Sequence, residues 1–460
     1  MANVLMLKVG GGPPFQITPP LGALTLAAVA RAHGHDCRFA DLRLTRPEKA
    51  VPRLVEEFSP HVVGISAMYS EAGAVERAAA LVKKASGGKA RVVVGGPYPT
   101  TAPERSLSHP GVDLAVVGEA ERTFPLVLDL LENPSPGNPD DIPGVAFRHG
   151  NDVRLNPGPK PLEDLDSLPY PAWDLADFQR YRRAPRVAML RPRRYAVIMT
   201  SRGCPYKCIF CHKTMGTRFR PMSPARVADE MEHVVGRFGV EEFEVWDDVF
   251  NLDEQRAAAV CDLILERGLK VKLAFPANLR ADRMTVPLME KMRAAGLYFM
   301  GVSFETGSPR WQKKIDKHFD VDRAWETVET AGKLGITTLG FFILGFPGET
   351  AEEMEQTIDL ACRSSLNFAT FYTLRPFPKT PLWRMCQQAG YRLRPEQSMY
   401  VSTAHNLSAV EDRRYARIVR SAYRRFYAAA PRRIFLSGAF RDVCLSTALK
   451  EFLLRQTPLR

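Results

Sequence analysis

The chain has 460 residues, about three domains' worth at roughly 150 residues each, so two or three domains are expected. Apolar residues make up 45% and charged residues 25%, a globular balance that excludes disordered, collagen-like and mucin-like classes. The 63 Lys and Arg outnumber the 51 Asp and Glu and give +12, which admits nucleic acid, a membrane surface or a phosphorylated or carboxylated ligand without choosing among them.

No apolar run approaches the roughly 18–20 residues that span a bilayer. The start, Met1 to Gly10, lacks a basic n-region and a small-residue cleavage site, so neither a transmembrane helix nor a signal peptide is expected. The eight cysteines are scattered except for three between Cys204 and Cys211, a usage that fits a reducing, cytoplasmic setting. Cys261, Cys362, Cys386 and Cys444 are read as ordinary small apolar residues.

The first 131 residues alternate strands with helices. Val4–Val9, Val62–Ser66, Arg91–Val94 and Leu114–Val117 read as buried parallel strands, and Pro20–Ala32, Glu71–Ala85 and Glu121–Leu131 carry helical spacing. This alternation predicts a Rossmann-like doubly wound parallel sheet, which binds ligands at the carboxyl ends of its strands. Those ends hold Gly10, Gly11 and Gly12, then Ser66, Met68 and Tyr69, then Gly95, Gly96 and Pro97, and finally Gly118 and Glu119. Glycines there serve equally as tight turns or as places where the backbone approaches a bulky ligand. Residues 132–190, rich in Pro, Asp and Gly, read as a linker rather than a domain core, with a small hairpin of Val145–His149 and Val153–Leu155.

A second alternation fills 191–394. Its strands are Tyr195–Thr200, Glu242–Trp246, Val271–Phe275, Tyr298–Phe304, Thr337–Leu344 and Phe368–Leu374, with helices such as Pro224–Phe238, Glu254–Gly268, Val286–Ala295 and Ala351–Ser364. Six such units predict a partial (β/α)6, TIM-like barrel with its chemistry at the carboxyl ends of the strands. Residues 395–460 read as a helical C-terminal region. There Tyr415, Ile418, Val419, Ala422, Tyr423 and Phe426 form an apolar stripe, with Arg413, Arg417, Arg420 and Arg424 on other faces. Such a basic amphipathic helix either docks on its own domain or makes peripheral contact with an anionic membrane.

The most informative stretch is Gly203-Cys204-Pro-Tyr-Lys-Cys208-Ile-Phe210-Cys211-His212, on a loop after the first strand of the second alternation. Gly203 and Pro205 discourage a helix, so the loop can wrap around a ligand. Closely spaced soft thiols bind zinc or an iron–sulfur cluster. Three of them with no second Cys pair suggest a cluster with one iron left open; His212 as a fourth, zinc-type ligand is the alternative, strained by its adjacency to Cys211.

This motif, with an aromatic before its third cysteine, resembles the signature of radical S-adenosylmethionine enzymes. The resemblance implies that Cys204, Cys208 and Cys211 hold a 4Fe–4S cluster whose fourth iron chelates S-adenosylmethionine, and that reduction yields a 5′-deoxyadenosyl radical. It further implies cofactor contacts at Phe210, at Asp247 and Asp248 (the methionine ammonium), at Arg280 (a carboxylate), at Ser303 and Glu305 (the ribose), and at Leu344, Gly345 and Pro347 (the adenine). The first domain, with Pro20-Leu21-Gly, Gly95-Gly96-Pro97 and Gly118-Glu119, is similar to the cobalamin-binding domain that precedes the barrel in one subfamily. The motif D-x-H-x-x-G is absent, and Tyr98 stands where many relatives carry histidine, so the lower corrin face is left without an assigned ligand.

The resemblance therefore implies a cobalamin-dependent C-methyltransferase. It would use the deoxyadenosyl radical to abstract hydrogen from an unactivated carbon, which then takes the methyl group from methylcobalamin. The alternatives are a cyclase, oxidase or rearranging enzyme on the same two domains, and a non-catalytic cobalamin sensor. A transfer RNA methylthiotransferase would carry three cluster cysteines in its first domain, which here holds only Cys37, so a nucleic-acid partner is not expected. The expected partners are a small-molecule or lipid-like substrate, anionic by the arginine count, and an electron donor such as flavodoxin or ferredoxin. No catalytic general base is assigned.

Overall fold

The computed structural model describes residues 1–10, 17–132, 138–186, 188, 193–393 and 406–429. They form two compact units, Met1–Tyr181 with Thr214–Gly216, and the described residues from Arg182 onward apart from those three.

The first unit is built on a seven-stranded sheet. Its strands are β1 (Asn3–Lys8), β2 (Asp36–Asp41), β3 (Val62–Ser66), β4 (Arg91–Gly95), β5 (Leu114–Val116), β6 (Val145–His149) and β7 (Asp152–Leu155), in the order β2-β1-β3-β4-β5-β6-β7. The first five are parallel, as the doubly wound reading expects, and β6 and β7 add an antiparallel extension. Successive side chains of a strand point to opposite faces, and this sheet buries both. Leu5, Leu7, Val63 and Ile65 pack with Val51, Val55 and Val75 on one side. Val4, Met6 and Val62 pack with Ala23, Ala27, Phe124 and Val127 on the other.

Two elements of this unit are not legible in the sequence. Strand β2, Asp-Cys-Arg-Phe-Ala-Asp, lies at the edge, where alternating polar side chains reach solvent and mask the strand pattern. The helix Pro47–Phe58 contains Pro52, which argues against a helix locally, yet Val51, Val55 and Phe58 bury its apolar face. The linker reading is also corrected. Ile142, Val145, Phe147 and Ala172 belong to the core of the first unit, and Tyr181 Oη donates to Asp41 Oδ2 at 2.8 Å. Short strands between turn residues look like linker in composition because tertiary burial, not periodicity, orders them.

The second unit holds β8 (Tyr195–Ile198), the paired dipeptides β9 (Ser201–Arg202) and β10 (Arg220–Pro221), and then β11 (Glu242–Val245), β12 (Lys272–Phe275), β13 (Leu297–Glu305), β14 (Thr337–Leu344) and β15 (Phe368–Thr373). The main sheet is six-stranded and all parallel, in the order β15-β14-β13-β12-β11-β8, the partial barrel that six units predict. Ser223, Asp253, Thr285, Asp320 and Thr350 each cap the helix that follows by accepting a backbone N–H, so every turn from strand to helix is fixed by its own side chain.

The helix Asp412–Ala429 spends its apolar stripe on its own unit. Tyr415, Ile418, Val419, Ala422 and Phe426 are buried, the helix packs on Ala351–Arg363 and β15, and Arg413, Arg417, Arg420 and Arg424 remain exposed. The rest of the expected C-terminal region, 395–405 and 430–460, lies outside the described residues. Among those described, no helix is long and apolar enough to cross a membrane.

This helix also braces the turn after β14. Gly345 adopts φ +88°, and a Cβ there would lie 2.9 Å from Tyr415 Oη, which bonds Leu344 O at 3.2 Å and Thr373 Oγ1 at 3.1 Å. Glu349 folds back under the turn, and its Oε2 accepts the Gly345 and Phe346 N–H groups at 2.6 and 3.0 Å. Burial pushes its carboxyl up to about 8, against the pull of the Phe346 and Gly345 N–H groups.

Two predictions follow from this packing. An acid held protonated by burial ionises first in the unfolded chain, so stability should fall as pH rises from the ordinary carboxylate range to about 8, then level off. The span is on the order of 3–5 kcal/mol. Glu349→Gln, which keeps an oxygen for both amides, should flatten the pH dependence of the thermal midpoint across that window; an unchanged slope would show that Glu349 ionises freely. At Gly301, a Cβ would sit 1.9 Å from Pro276 O and 2.7 Å from the Phe341 ring. Gly301→Ala should therefore cost about 3 kcal/mol, read as a lower urea midpoint.

Candidate functional site

In the second unit the thiol loop hangs from β8 and β9 and is anchored by Asp247, just beyond β11. The buried Asp247 carboxylate accepts from Thr200 N–H at 2.6 Å, Thr200 Oγ1 at 2.7 Å and Ser201 Oγ at 2.6 Å. Burial raises its pKa and these hydrogen bonds oppose the rise. From the other side Arg256 donates to Thr200 O at 2.7 Å and to Met222 O at 2.8 Å. The sequence reading gave Asp247 to the ligand's ammonium; in the structure its oxygens are taken by the loop root. Its neighbour Asp248 is exposed and accepts the Gly203 N–H at 2.7 Å, where Gly203 takes φ +84° to start the loop.

The middle of the loop is clamped by backbone. Ile209 N–H donates to Ile315 O, and Leu382 N–H donates to Ile209 O, both at 3.0 Å. Phe210 packs into the cluster of Trp311, Phe346, Leu374 and Leu382. Interaction with the Cys211 thiol lowers Cys208 against its burial, with the Lys317 and Arg280 charges helping and Glu305 opposing, and the same interaction, with burial, raises Cys211. Burial raises Cys204.

Among the described residues no three His, Cys, Asp or Glu side chains already stand in metal-holding geometry. The donor set nonetheless fits an iron–sulfur cluster: three soft thiols on one short loop, two already in contact and beside cationic groups that favour thiolates. The buried Tyr206 Oη between them has no hydrogen-bond partner, an orphaned polar atom next to the ligand loop. His212 stacks on Phe377 at 5.7 Å, a packing role rather than a fourth ligand's.

Arg280, after β12, differs from expectation. Its guanidinium pairs bidentately with Asp282 at 2.8 and 2.6 Å, and donates to Lys317 O at 2.9 Å and His318 O at 2.7 Å. Its face lies 3.9 Å over the Tyr206 ring. The donors expected for a ligand carboxylate thus hold the chain instead. At the end of β13, Ser303 is half-buried, and Glu305, at φ +67°, pairs with Lys317 Nζ at 2.8 Å. Leu344 and Gly345 end β14 against Tyr415, and Pro347 follows in the turn that Glu349 holds. Sequence reasoning missed Tyr206, Lys317 and Tyr415. Lys317 had no signal, because two left-handed residues aim it, and Tyr415 read only as part of an apolar stripe.

In the first unit, Gly10, Ser66, Gly95 and Gly118 lie together at the carboxyl edge, while Gly11 and Gly12 lie outside the described residues. Gly10 leaves room for Arg43, whose Cγ would be 2.5 Å from a Cβ there. Pro20 opens the helix Leu21–Ala32 by accepting from Ala23 and Leu24 N–H. Gly96 adopts φ +92°, where an added Cβ would lie 3.0 Å from Ala67 O, and leads into Pro97. Gly118 N–H donates to Thr100 Oγ1 at 3.0 Å, and half-buried Glu119 follows it. At Gly95 and Gly118 an added Cβ would meet no atom of the described residues within 4 Å, which leaves room beside both strand ends. Tyr69 and Tyr98 pack edge to face at 6.0 Å inside the core, which removes both from the cofactor face. Met68 is 51% exposed, presented by a loop in which Glu71 accepts its N–H at 2.7 Å.

Family models match both units: the B12 binding domain over residues 7–128 and the Radical SAM superfamily over 198–361. An uncharacterised methyltransferase of Pyrococcus horikoshii is 31% identical over 417 residues, 89% of this chain and 88% of that protein. The anaerobic magnesium-protoporphyrin IX monomethyl ester cyclase of Rubrivivax gelatinosus is 25% identical, over 89% of this chain and 74% of its own. The solved radical S-adenosylmethionine methyltransferase TsrM of Kitasatospora setae, with cobalamin and a [4Fe-4S] cluster bound, shares the fold with a TM-score of 0.71 at 20% identity, over 86% of this chain and 76% of that one. The chain belongs to the cobalamin-dependent radical S-adenosylmethionine enzymes, and cobalamin, a 4Fe–4S cluster and S-adenosylmethionine are its cofactors.

Proposed function

We propose that the enzyme is a C-methyltransferase acting on an unactivated carbon of a small, anionic or lipid-like substrate. One observation carries the reading: a single chain holds an open, glycine-lined edge in a B12-type unit and a three-thiol loop in a radical-type unit, and a 31% identical relative spanning nearly the whole chain is named a methyltransferase. When bound, the cofactors supply a carbon-centred radical and a methyl group.

This chain's residues bind and orient. Cys204, Cys208 and Cys211 would hold the cluster, with Phe210 walling it from solvent. Asp248, the exposed acid, would meet the ammonium, while Asp247 positions the loop. Ser303 and Glu305 would meet the ribose, and Leu344, Gly345 and Pro347 the adenine. In the first unit Gly95, Gly96, Pro97 and Gly118 would cradle the corrin, with Met68 as the exposed side chain at the strand ends. The free thiols support a reducing cytoplasmic setting with an electron donor of the flavodoxin or ferredoxin kind. A cyclase or rearrangement without net methylation is the second reading, favoured by the 25% identical cyclase.

Anaerobic reconstitution tests both. The wild type should take up iron, sulfide and cobalamin and, once reduced, cleave S-adenosylmethionine to 5′-deoxyadenosine. S-adenosylhomocysteine should accumulate with it, because a methyltransferase also demethylates the cofactor. Deoxyadenosine without homocysteine product, in cobalamin-loaded enzyme, would point to the cyclase reading. Cys204→Ala, Cys208→Ala and Cys211→Ala should each lose the cluster's absorbance and all deoxyadenosine formation while keeping cobalamin uptake.

A further inference from the structure

The helix Asp412–Ala429 buries its apolar stripe and turns a second stripe to solvent. Arg413, Arg417, Arg420 and Arg424 recur at intervals of four, three and four residues. At 3.6 residues per turn they share about 60° of the helix surface along roughly 16 Å. All four are exposed, and none of them pairs with a carboxylate among the described residues. The acids close by are already engaged. Glu355 and Asp359, on the helix Ala351–Arg363, both pair with Arg425. Glu411 accepts the Arg413 and Arg414 N–H groups at 3.0 and 3.2 Å, and Asp412 Oδ1 accepts from Asn406 Nδ2 at 3.0 Å.

Cations three or four residues apart on a helix repel each other, so this face opposes its own helix until an anionic surface meets it. The chain that follows does not supply one. Residues 430–460, outside the described residues, hold six cations, Arg432, Arg433, Arg441, Lys450, Arg455 and Arg460, against two acids, Asp442 and Glu451. Their charge adds to that of the stripe. They also set large apolar residues beside those cations: Ile434, Phe435 and Leu436 after Arg433, and Phe452, Leu453 and Leu454 before Arg455. Cations interleaved with such side chains suit an anionic bilayer, which offers both charge and an apolar phase. A nucleic acid offers the charge but no phase in which isoleucine and leucine are buried.

We infer that the arginine stripe of the helix Asp412–Ala429 is an interaction surface for an anionic lipid bilayer. Charge holds it against the headgroups, while the apolar face of the helix stays docked on its own unit. Such a surface is independent of the reaction the enzyme performs. The test sediments the full chain, reconstituted anaerobically with its cofactors, with vesicles of phosphatidylcholine alone or mixed equally with phosphatidylglycerol. The wild type is compared with the quadruple variant Arg413→Gln/Arg417→Gln/Arg420→Gln/Arg424→Gln and with its halves, Arg413→Gln/Arg417→Gln and Arg420→Gln/Arg424→Gln. A charge-matched control carries Lys49→Gln, Lys84→Gln, Lys89→Gln and Lys160→Gln, at four exposed cations of the first unit. Far-ultraviolet circular dichroism checks the fold of each.

The wild type should bind the anionic vesicles, ignore pure phosphatidylcholine, and be released in about 1 M salt, where screening acts within about 3 Å. A cation beside an anionic bilayer is worth about fivefold in affinity, so the quadruple variant should bind roughly fiftyfold more weakly or worse. Each half should lose part of that affinity, and the control should match wild type. Undiminished binding by the quadruple variant, an equal loss in the control, or a wild type that does not prefer anionic vesicles overturns the inference. If the quadruple variant does not fold, the halves decide: losses in both support the bilayer surface, and undiminished binding in both overturns it. Tighter binding to a single-stranded RNA, lost in the same variants, would assign the stripe to nucleic acid and overturn the bilayer as its partner.

Discussion

Thr200 and Ser201 direct three hydrogen bonds into one buried carboxylate, Asp247, and the position of the thiol loop depends on that contact. The chain leaves β8, whose ladder to β11 ends at Ile198 and Val245, and it must turn outward without leaving N–H groups unpaired. A carboxylate fixed just past the end of β11 gives those donors an acceptor. Arg256 then fixes the carbonyl of Thr200, and Asp248 takes the N–H of Gly203, so the residues before Cys204 are held from both sides. The cost is a fully buried acid, which is tolerable because hydrogen bonds offset its desolvation.

Arg280 extends the same logic to the far side of the loop. A guanidinium carries its donors in a rigid fork, and here the fork spans Asp282 and two carbonyls while its flat face covers Tyr206. One side chain thus couples the turn after β12, the strained segment around Lys317 and the cysteine loop. A lysine in its place would keep the charge and lose the fork, because an ammonium cannot bond Asp282 bidentately and cap two carbonyls at once.

Most of the fold was legible because its strands are apolar runs of strand length separated by helices with regular spacing and side-chain caps. Pro224–Phe238 and Thr337–Leu344 carry those signals in full, and the structure places both at the expected residues. What was not legible depends on tertiary contact. The edge strand Asp36–Asp41 is half polar, and the proline-containing helix Pro47–Phe58 breaks a local rule that burial overrides. The site divides in the same way. Residue types and strand order identify which ends carry chemistry, but not how a side chain is spent once it is there. The family resemblance implies ligand contacts at Asp247 and Arg280, whereas in the structure both hydrogen-bond backbone. Lys317 reads as nothing, because left-handed Asp316 and His318 follow from a distant arginine and not from their own sequence.

Glycine at a strand end has opposite uses in the two units, and the difference lies in what stands beside it. At Gly95 and Gly118 no atom of the described residues stands within 4 Å of where a side chain would begin, so the missing side chain leaves room beside the backbone. At Gly345 that space is filled by Tyr415, whose hydroxyl bonds Leu344 O and Thr373 Oγ1. The turn after β14 is therefore shaped by the protein's own helix Asp412–Ala429, although none of that helix's residues lies at a strand end. This contact also explains why the apolar stripe is anchored by a tyrosine at 415: a phenylalanine would fill the same volume, but only a hydroxyl adds a bond to Leu344 O, which already accepts the Leu374 N–H at 3.0 Å, and reaches Thr373 Oγ1 as well.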